Sequence, residues 1–387
     1  MGETGSETDL VGDVRRRLAR ATARGESPEA LRRLVRRPGT VLGAEDVAAL
    51  AAMVGSSTHG AGPLQALVDE PGVSDVLVNG PGSVWVDRGA GLEKRDVDVG
   101  DDVQLRALAV RLAAAGGRRL DDAAPVVDAR LPDGTRLHAV LPPLAVDGPQ
   151  ISLRVLRPSA FPLSALVTAG SVEPTVAVVL TSLVLRRANV LISGATGSGK
   201  TTLLSALLAL VPADERIVCL EESGELDPDH PHVVRLVARR PNVEGAGGVD
   251  LTQLVREALR MRPDRIVVGE CRGAEVREML TALSTGHAGS WATVHANSAQ
   301  DVPARLEALA ALAGLAPAAV AAQAAGALDV VVHLRREAGR RRVAQIGEVA
   351  RNGAALVVRE VLSVDVAGAV RHGSGWQAFA RSWCGAP

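Results

Sequence analysis

Two kinds of hydrophobic pattern divide the chain. Between about residues 61 and 158, short apolar runs are separated by turns, with one helical stretch among them. The runs "VSDVLVNG" and "SVWVDRG" predict a β-hairpin around Asn79-Gly80-Pro81-Gly82. A helix is expected from Leu105 to Ala115, and two further strands flank Pro132-Asp133-Gly134. We therefore predict a small α/β domain over residues 61–158.

From about residue 172, helices alternate with continuously apolar strands. Strands are predicted at Asn189–Ser193, Arg216–Leu220, Arg265–Val268 and Ser290–Val294. A helix from Leu251 to Arg260, with Asp250 as its N-cap, separates the second strand from the third. Apolar strands of this kind are typical of parallel sheets that helices cover on both faces. An α/β domain with a mostly parallel sheet is therefore expected over residues 172–387, after a linker at 159–171.

Both ends of the chain differ from this pattern. Residues 1–60 predict short helices and are rich in arginine. The arginines are interpreted as solvated helix faces, with an anionic membrane surface or an acidic partner as the alternative. Beyond residue 328, the runs "LDVVVHL", "RRVAQIGEV" and "AALVVREVL" predict further strands, which we interpret as an antiparallel extension.

Composition narrows the class of protein. Hydrophobic residues make up 47% of the chain and charged residues 22%, with a net charge of −1, so a globular protein without a polybasic field for nucleic acid is expected. The three cysteines are far apart and suggest neither a disulfide framework nor a zinc site. Residues Ala308–Leu328 lack charge, but they are alanine-rich and broken at Gly314–Pro317. We expect two soluble helices there, no transmembrane segment and no secretory signal, and hence a cytoplasmic protein.

The strongest chemical signal is the loop after the first parallel strand. Lys200 is one of two lysines in an arginine-rich chain, and it lies in Gly194-Ala195-Thr196-Gly197-Ser198-Gly199-Lys200-Thr201. This run matches G-x-x-x-x-G-K-[ST] between a strand and a helix. Backbone N–H groups of such a loop surround phosphate oxygens, the lysine reaches the β- and γ-phosphates, and the Thr201 hydroxyl binds Mg²⁺. Thr202 follows as a further candidate for nucleotide binding.

Each of the other three parallel strands ends in a polar group. Ligands of open parallel sheets bind beyond these strand ends. The second strand ends in Glu221-Glu222, candidates for holding magnesium or positioning water, and the third in Glu270, a candidate base for the attacking water that could also contact the metal. The fourth ends in His295, a candidate γ-phosphate sensor, and His287 precedes that strand.

The run from Gly194 to Ser298 resembles the secretion ATPase superfamily of type II and type IV secretion and pilus systems. Its four motifs appear here as GATGSGKT, IVCLEESGEL, RIVVGECRG and TGHAGSWATVHANS. The stretches "GPLQALVDEPGVSDVLVNGP" and "DARLPDGTRLHAVLPPLAVDGPQISLR" are similar to the tight-adherence pilus (CpaF/TadA-like) subgroup. One departure is that Glu222 stands where the family usually has aspartate, so the resemblance does not decide which of Glu221 and Glu222 acts.

The resemblance implies a RecA-like domain that hydrolyses ATP with Mg²⁺, held by Thr201, Glu221 and Glu270. It also implies a hexameric ring in which the N-terminal domain closes on the nucleotide, with Arg130, Arg136 and Arg154 in the stretches that supply phosphate-contacting arginines. Such a motor drives a platform protein of the inner membrane from its cytoplasmic face and is not expected to bind nucleic acid directly.

Other functions remain as alternatives. A conjugative DNA-transfer ATPase of the same superfamily shares every motif, and a RecA-like nucleic-acid motor shares the core fold. The near-neutral charge and the 2% of aromatic residues disfavour the nucleic-acid motor. A GTPase generally needs an Asn-Lys-x-Asp element, and neither Lys94 nor Lys200 lies in one. A nucleotide-binding scaffold without turnover is the non-enzymatic alternative.

Overall fold

A computed structural model describes residues 60–89, 91–155, 161–239, 241, 246–337 and 339–385. These residues belong to two compact units, which divide between residues 156 and 157. The helices predicted within residues 1–60 lie outside the described residues, except for residue 60 itself. The two units are described separately below.

The first unit is an antiparallel sheet with helices on one face. Its elements are α1 (Gln65–Asp69), β1 (Asp75–Asn79), β2 (Val84–Asp87), β3 (Leu92–Arg95), α2 (Asp102–Ala115), β4 (Val126–Arg130), β5 (Arg136–Val140) and β6 (Gln150–Arg154). The strand order is β3-β2-β1-β6-β5-β4. Apolar residues at alternate positions, such as Val76, Val78 and Ile151, are buried and form a core with α2. The predicted hairpin and the predicted strand pair around residues 132–134 are both confirmed.

The second unit contains a large mixed sheet. Its helices are α3 (Leu163–Thr168), α4 (Pro174–Leu185), α5 (Lys200–Leu208), α6 (Leu251–Ala258), α7 (Val276–Ser284), α8 (Val302–Leu312), α9 (Pro317–Ala327) and α10 (Trp376–Trp383). Its strands are β7 (Val190–Gly194), β8 (Ile217–Glu221), β9 (Val233–Val237), β10 (Arg265–Cys271), β11 (Trp291–Val294), β12 (Val330–Glu337), β13 (Arg340–Asn352), β14 (Ala355–Val364) and β15 (Val370–His372). The order β15-β14-β13-β12-β7-β11-β10-β8-β9 places β7 near the middle of the sheet.

Helices cover both faces of this sheet, as the apolar strands predict. Val190 and Ile192 of β7 belong to one core cluster, whereas Leu191 between them belongs to the other. The first cluster includes residues of α4 and α5, and the second includes residues of α6, α7, α8 and α9. The predicted α/β fold class and the four predicted strands are therefore confirmed. Asp250 also caps α6 as expected, because its side chain accepts the Gln253 N–H.

Two details differ from the sequence-based expectations. The predicted linker contains α3, and Leu163 of this helix is buried in the core of the second unit. The C-terminal strands are only partly antiparallel, because β12 pairs in parallel with β7 and the antiparallel order begins at β13. The uncharged helix α9 leads directly into β12 and allows it to join the parallel sheet.

The alanine-rich segment forms the bent pair α8 and α9, as its Gly-Pro break predicts. The two helices are inclined by 118°, and together they satisfy length and hydropathy criteria for a broken membrane span. Within the described residues, no single helix is both long and apolar enough to cross a membrane.

Candidate functional site

The glycine loop lies between β7 and α5, as its motif predicts. Gly194 ends β7, and Lys200 is the first residue of α5. Gly197 and Gly199 have φ angles of 71° and 96°, which favour glycine. A Cβ on Gly194 would lie 2.6 Å from the Leu334 carbonyl oxygen of β12. The glycines therefore permit both the bend of the loop and its close approach to the neighbouring strand.

Lys200 lies inside this loop. Its Nζ donates to the Gly194 carbonyl at 2.9 Å and to the Ala195 carbonyl at 3.1 Å. Burial lowers the pKa of the Lys200 ammonium, while the nearby Glu270 carboxylate acts in the opposite direction. The loop thus surrounds a compact cation in a partly desolvated position, where electrostatic attraction for an anion is stronger than in water.

The loop also contains polar groups suited to an oxygen-rich ligand. The Ser198 Oγ is buried and has no hydrogen-bond partner within the described residues. A buried hydroxyl without a partner costs free energy, which a bound oxygen acceptor would recover. Thr201 and Thr202 lie in the first turn of α5 and are half-buried. Ala195, Thr196 and Gly197 are exposed at the crest of the loop.

Glu270 and Glu222 approach each other through Arg272. The Arg272 guanidinium donates to Glu270 at 2.6 Å and lies 3.5 Å from a Glu222 oxygen. Glu270 is the more sheltered, with a side-chain exposure of 28% against 50% for Glu222. The charges of Glu270 and Arg272 act on the pKa of the Lys200 ammonium in opposite directions, Glu270 raising it and Arg272 lowering it. Arg272 is a residue that the sequence analysis missed, although it follows Glu270 by two positions.

Glu221 ends β8, as predicted, and its side chain contacts the loop that follows this strand. Its side chain is buried, and its oxygens accept the backbone N–H groups of Glu225 and Leu226 at 2.8–3.1 Å. Burial raises the pKa of this carboxyl, and the backbone hydrogen bonds counteract part of the rise. Both oxygens accept hydrogen bonds from the loop after β8, and the catalytic and metal-binding roles of Glu221 stay predictions. The exposed Glu222 faces the cluster instead.

The Glu221 side chain explains why a glycine, Gly269, precedes Glu270 on β10. A Cβ at this position would lie 2.6 Å from Cγ of Glu221. β8 and β10 are adjacent parallel strands, so the Glu221 side chain crosses the space that a larger residue 269 would occupy. The glycine therefore keeps Glu221 in its loop-holding position beside Glu270.

The two predicted histidines lie at opposite ends of strand β11. His295 follows β11, and its Nδ1 lies 3.5 Å from the Thr196 Oγ1 of the glycine loop. His287 precedes β11 and contacts the Ala282 carbonyl at the end of α7. The Ser290 N–H donates to Asn189, just before β7, so this loop lies at the amino edge of the strands. The structure therefore brings His295 to the glycine loop and places His287 away from it, so the catalytic role of His287 stays a prediction without a contact to the loop among the described residues.

A further histidine lies beneath the loop. His333 of β12 pairs with Ser193 of β7, and its Nδ1 lies 2.9 Å from the Ser193 Oγ. It is 1% exposed, and burial lowers its pKa to about 4, so it is neutral at physiological pH. The sequence analysis missed this residue because only the register of β12 against β7 places it beside the loop.

The three predicted arginines of the first unit form one row. Arg154 lies opposite Arg136, and Arg136 lies opposite Arg130, across three adjacent strands. Arg154 also pairs with Asp75 of β1 at 3.0 Å. The structure thus brings these residues together on the face away from the core. We name Arg130, Arg136 and Arg154 the arginine row.

The donor set near the glycine loop is suited to magnesium rather than to a softer metal. Thr201, Glu222 and Glu270 offer only oxygen atoms, which Mg²⁺ prefers. Among the residues that the structure describes, no group of three His, Cys, Asp or Glu side chains could hold a metal by itself. A cation here would need oxygen ligands from another source as well, as in sites where substrate phosphates complete the coordination.

The parallel sheet and this loop define the class of α/β proteins with a G-x-x-x-x-G-K-[ST] loop between a central strand and a helix. Within that class, residues 57–373 match the model of the family "Type II/IV secretion system protein". The chain belongs to this family, which confirms the coarser part of the resemblance.

The chain also resembles individual proteins. It is 53% identical to the "Putative conjugal transfer protein Rv3659c" of Mycobacterium tuberculosis over 79% of this chain and 89% of the relative. It is 33% identical to the "Conjugal transfer protein TrbB" of Rhizobium radiobacter over 72% and 84%. The crystal structure of the "Pilus Retraction Motor PilT and Bound ADP" matches with a TM-score of 0.52 at 20% identity, covering 76% of this chain and 81% of that chain, which supports the fold.

Proposed function

We propose that this protein is a Mg²⁺-dependent ATPase motor of a pilus-assembly or secretion system. The observation that carries the proposal is the Lys200 ammonium, which donates to the Gly194 and Ala195 carbonyls inside the glycine loop. A loop of this form can bind a triphosphate, and a carboxylate beside it can orient or deprotonate the attacking water.

Each residue near the loop has a proposed part in hydrolysis. The loop amides and Lys200 bind the phosphates, and Glu270 acts as the base for water. Thr201 and Glu270 would hold Mg²⁺, which neutralises charge on the phosphates when bound. His295 would sense the γ-phosphate through its position beside Thr196. Of Glu221 and Glu222, we propose that Glu222 holds magnesium or positions water, because its carboxylate is exposed.

The arginine row is proposed to couple the two units. In the family that the sequence resembles, arginines of the N-terminal domain contact the nucleotide phosphates. Arg154, Arg136 and Arg130 share one exposed face, so they could approach a single ligand together. ATP binding would then close the first unit on the second, and hydrolysis would release it. A ring of such subunits, expected to be a hexamer, would convert this cycle into mechanical work.

The test of ATP hydrolysis uses two variants with matched controls. Lys200→Ala should lose nucleotide binding and turnover, whereas Lys94→Ala, at the other lysine of the chain, should keep both. Glu270→Gln should still bind ATP but lose turnover by about a hundredfold or more. Glu257→Gln, an exposed glutamate of α6, is its control. Binding without turnover in the wild-type chain would favour the scaffold alternative, and unchanged turnover in Glu270→Gln would exclude this residue from the chemistry.

The cargo has two candidates. The CpaF/TadA-like stretches of the first unit support a tight-adherence pilus, with a platform protein at the inner face of the cell membrane as partner. The relatives named as conjugal transfer proteins support a DNA-transfer role instead. Introducing Glu270→Gln into the chromosomal gene separates them. Loss of surface pili in electron micrographs with normal plasmid transfer would indicate the pilus, and the reverse would indicate conjugation.

A further inference from the structure

A hairpin of the second unit extends past the edge of the parallel sheet beside the glycine loop. β12 pairs with β7 as far as Leu334 and Gly194, where β7 ends. From Arg335 onward β12 pairs with β13 alone, up to Glu337 and Arg340. We call residues 335–337 and 340–342 the arginine hairpin. Because β12 is a direct neighbour of β7, this hairpin stands beside the loop that follows β7.

Two guanidinium groups of the arginine hairpin meet the loop. Arg336 and Arg341 lie directly opposite each other and are exposed. The Arg341 Nε donates to the Gly197 carbonyl at 2.9 Å. A Cβ on Gly197 would be 3.8 Å from Nη1 of Arg336, and one on Gly199 would be 3.5 Å from Cδ of Arg341. Both arginines therefore lie against the crest of the loop.

The arginines on the two faces of the hairpin differ in the partners that their side chains contact. Like charges directly opposite each other in a hairpin are destabilising. On the other face of the hairpin, Arg335 and Arg342 are also opposite, but Glu337 lies 3.8 Å from Arg335 and 2.6 Å from Arg342. For Arg341, the acceptor within the described part of the chain is the neutral Gly197 carbonyl. An anion on the loop would therefore meet the charge of Arg341, whose Nε contact is with a neutral group.

Glu270 lies on the other side of β7. The sheet order β12-β7-β11-β10 places the arginine hairpin and Glu270 on opposite sides of the strand that leads into the loop. The loop is therefore flanked by cations on one side and by carboxylates on the other. This arrangement suits the hydrolysis of a bound nucleotide, because the phosphates need positive charge and the attacking water needs a base.

We propose that Arg341, with Arg336 beside it, is a second phosphate-binding group that the chain supplies to its own nucleotide. This proposal rests on the proposed ATPase function. Arginine has five N–H donors in a planar fork, and the Gly197 contact uses only the Nε–H of Arg341. The remaining donors are suited to phosphate oxygens. The same contact fixes the orientation of the Gly197 peptide, so Arg341 also positions the loop.

The test measures nucleotide affinity in the full chain. Arg341→Gln and Arg336→Gln remove one charge each, and Arg335→Gln removes the same charge from the opposite face of the same hairpin as the matched control. Dissociation constants for ATP, ADP and inorganic pyrophosphate are measured by calorimetry. We expect Arg341→Gln to weaken ATP and pyrophosphate binding about tenfold, because a hydrogen bond to a charged group is lost. Arg341→Lys, which keeps the charge, should recover part of the loss.

The outcomes separate this inference from the proposed function. If the wild-type chain binds neither ATP nor pyrophosphate, the ATPase proposal fails. If the wild type binds and Arg341→Gln matches Arg335→Gln, only the arginine inference is overturned. Should Arg341→Gln fail to fold, Arg341→Lys and Arg336→Gln decide, and wild-type affinity in both would also overturn it.

Discussion

At the scale of single residues, burial separates the functions of identical side chains. Glu221 and Glu222 are adjacent in sequence, yet Glu221 is buried and satisfied by backbone N–H groups, whereas Glu222 is exposed beside Arg272. The structural role therefore falls to the first glutamate, and only the second is accessible to a ligand.

Replacing Glu221 should weaken the second unit itself. In Glu221→Ala, the backbone N–H groups of Glu225 and Leu226 lose their acceptor inside the protein, at a cost of about 1–3 kcal/mol each. We expect the free energy of unfolding to fall by about 2–4 kcal/mol in urea titrations followed by circular dichroism. Glu222→Ala is the control and should change stability by less than about 0.5 kcal/mol. Equal stability of the two variants would contradict the assignment.

His333 should make the second unit sensitive to acid. Burial lowers its pKa from about 6.5 to about 4, so the unfolded chain binds a proton at a higher pH than the folded chain does. Stability is therefore lost as the pH falls from about 6.5 to 4. The loss is about 3 kcal/mol, because each pKa unit corresponds to about 1.4 kcal/mol.

Unfolding titrations at several pH values test this expectation. His333→Asn keeps a side chain that can bond with Ser193 but cannot titrate, so its stability should change less between pH 6.5 and 4. The same substitution at the exposed His372 should leave the wild-type pH dependence intact. A wild-type curve that persists in His333→Asn would show that another group is responsible.

Sequence could predict Lys200 and Glu270 but not the role of Glu221. The loop motif fixes the position of Lys200 because its spacing encodes both the glycine bends and the start of a helix. Glu270 follows a strand, and strand ends meet at one edge. Whether a carboxylate at such an edge turns toward the ligand or toward the next loop depends on its N–H partners, and those are set by the path of residues 222–226 in space.

At the scale of elements, the strands were predictable and their neighbours were not. Apolar runs located β7, β8, β10 and β11, and turn residues located the hairpin of β1 and β2. Pairing partners depend on the whole sheet, so the place of β12 beside β7 was missed, and with it His333 and Arg341. The run "HLRREAGRRR" contains a signal, because a dense cluster of arginines around a short turn is unusual for an exposed hairpin.

The effects of the arginine row on stability and on ATP turnover can be measured separately. Arg136 lies between Arg130 and Arg154, and like charges opposite each other on adjacent strands repel by up to about 1 kcal/mol. We expect Arg136→Gln to lower ATP turnover about tenfold or more, and thermal unfolding of the same variant measures its effect on stability. Arg118→Gln, outside the row, is the control. Reduced stability with normal turnover would indicate a structural role instead.

At the scale of the whole molecule, each unit has its own core, and the proposed motor function requires that nucleotide couple them. Among the described residues, the core clusters of the second unit contain residues of that unit alone, so each unit has its own apolar core. Independent units resemble the domains of proteins in which relative motion is the default. A ligand that contacts both units would couple their stabilities.

Hydrogen exchange of the full chain tests this coupling. With ATP and Mg²⁺ added to Glu270→Gln, which should bind without turnover, we expect slower exchange at the glycine loop and α5 because nucleotide contacts them directly. The strands β4, β5 and β6 should also be protected if the arginine row contacts the phosphates, since binding to the folded state stabilises whatever it holds.

In a variant that also carries Arg154→Ala, protection of these strands should decrease while that of the loop remains. Protection confined to the loop in both proteins would mean that nucleotide binding does not reach the first unit, and the proposed closure would then have no physical basis.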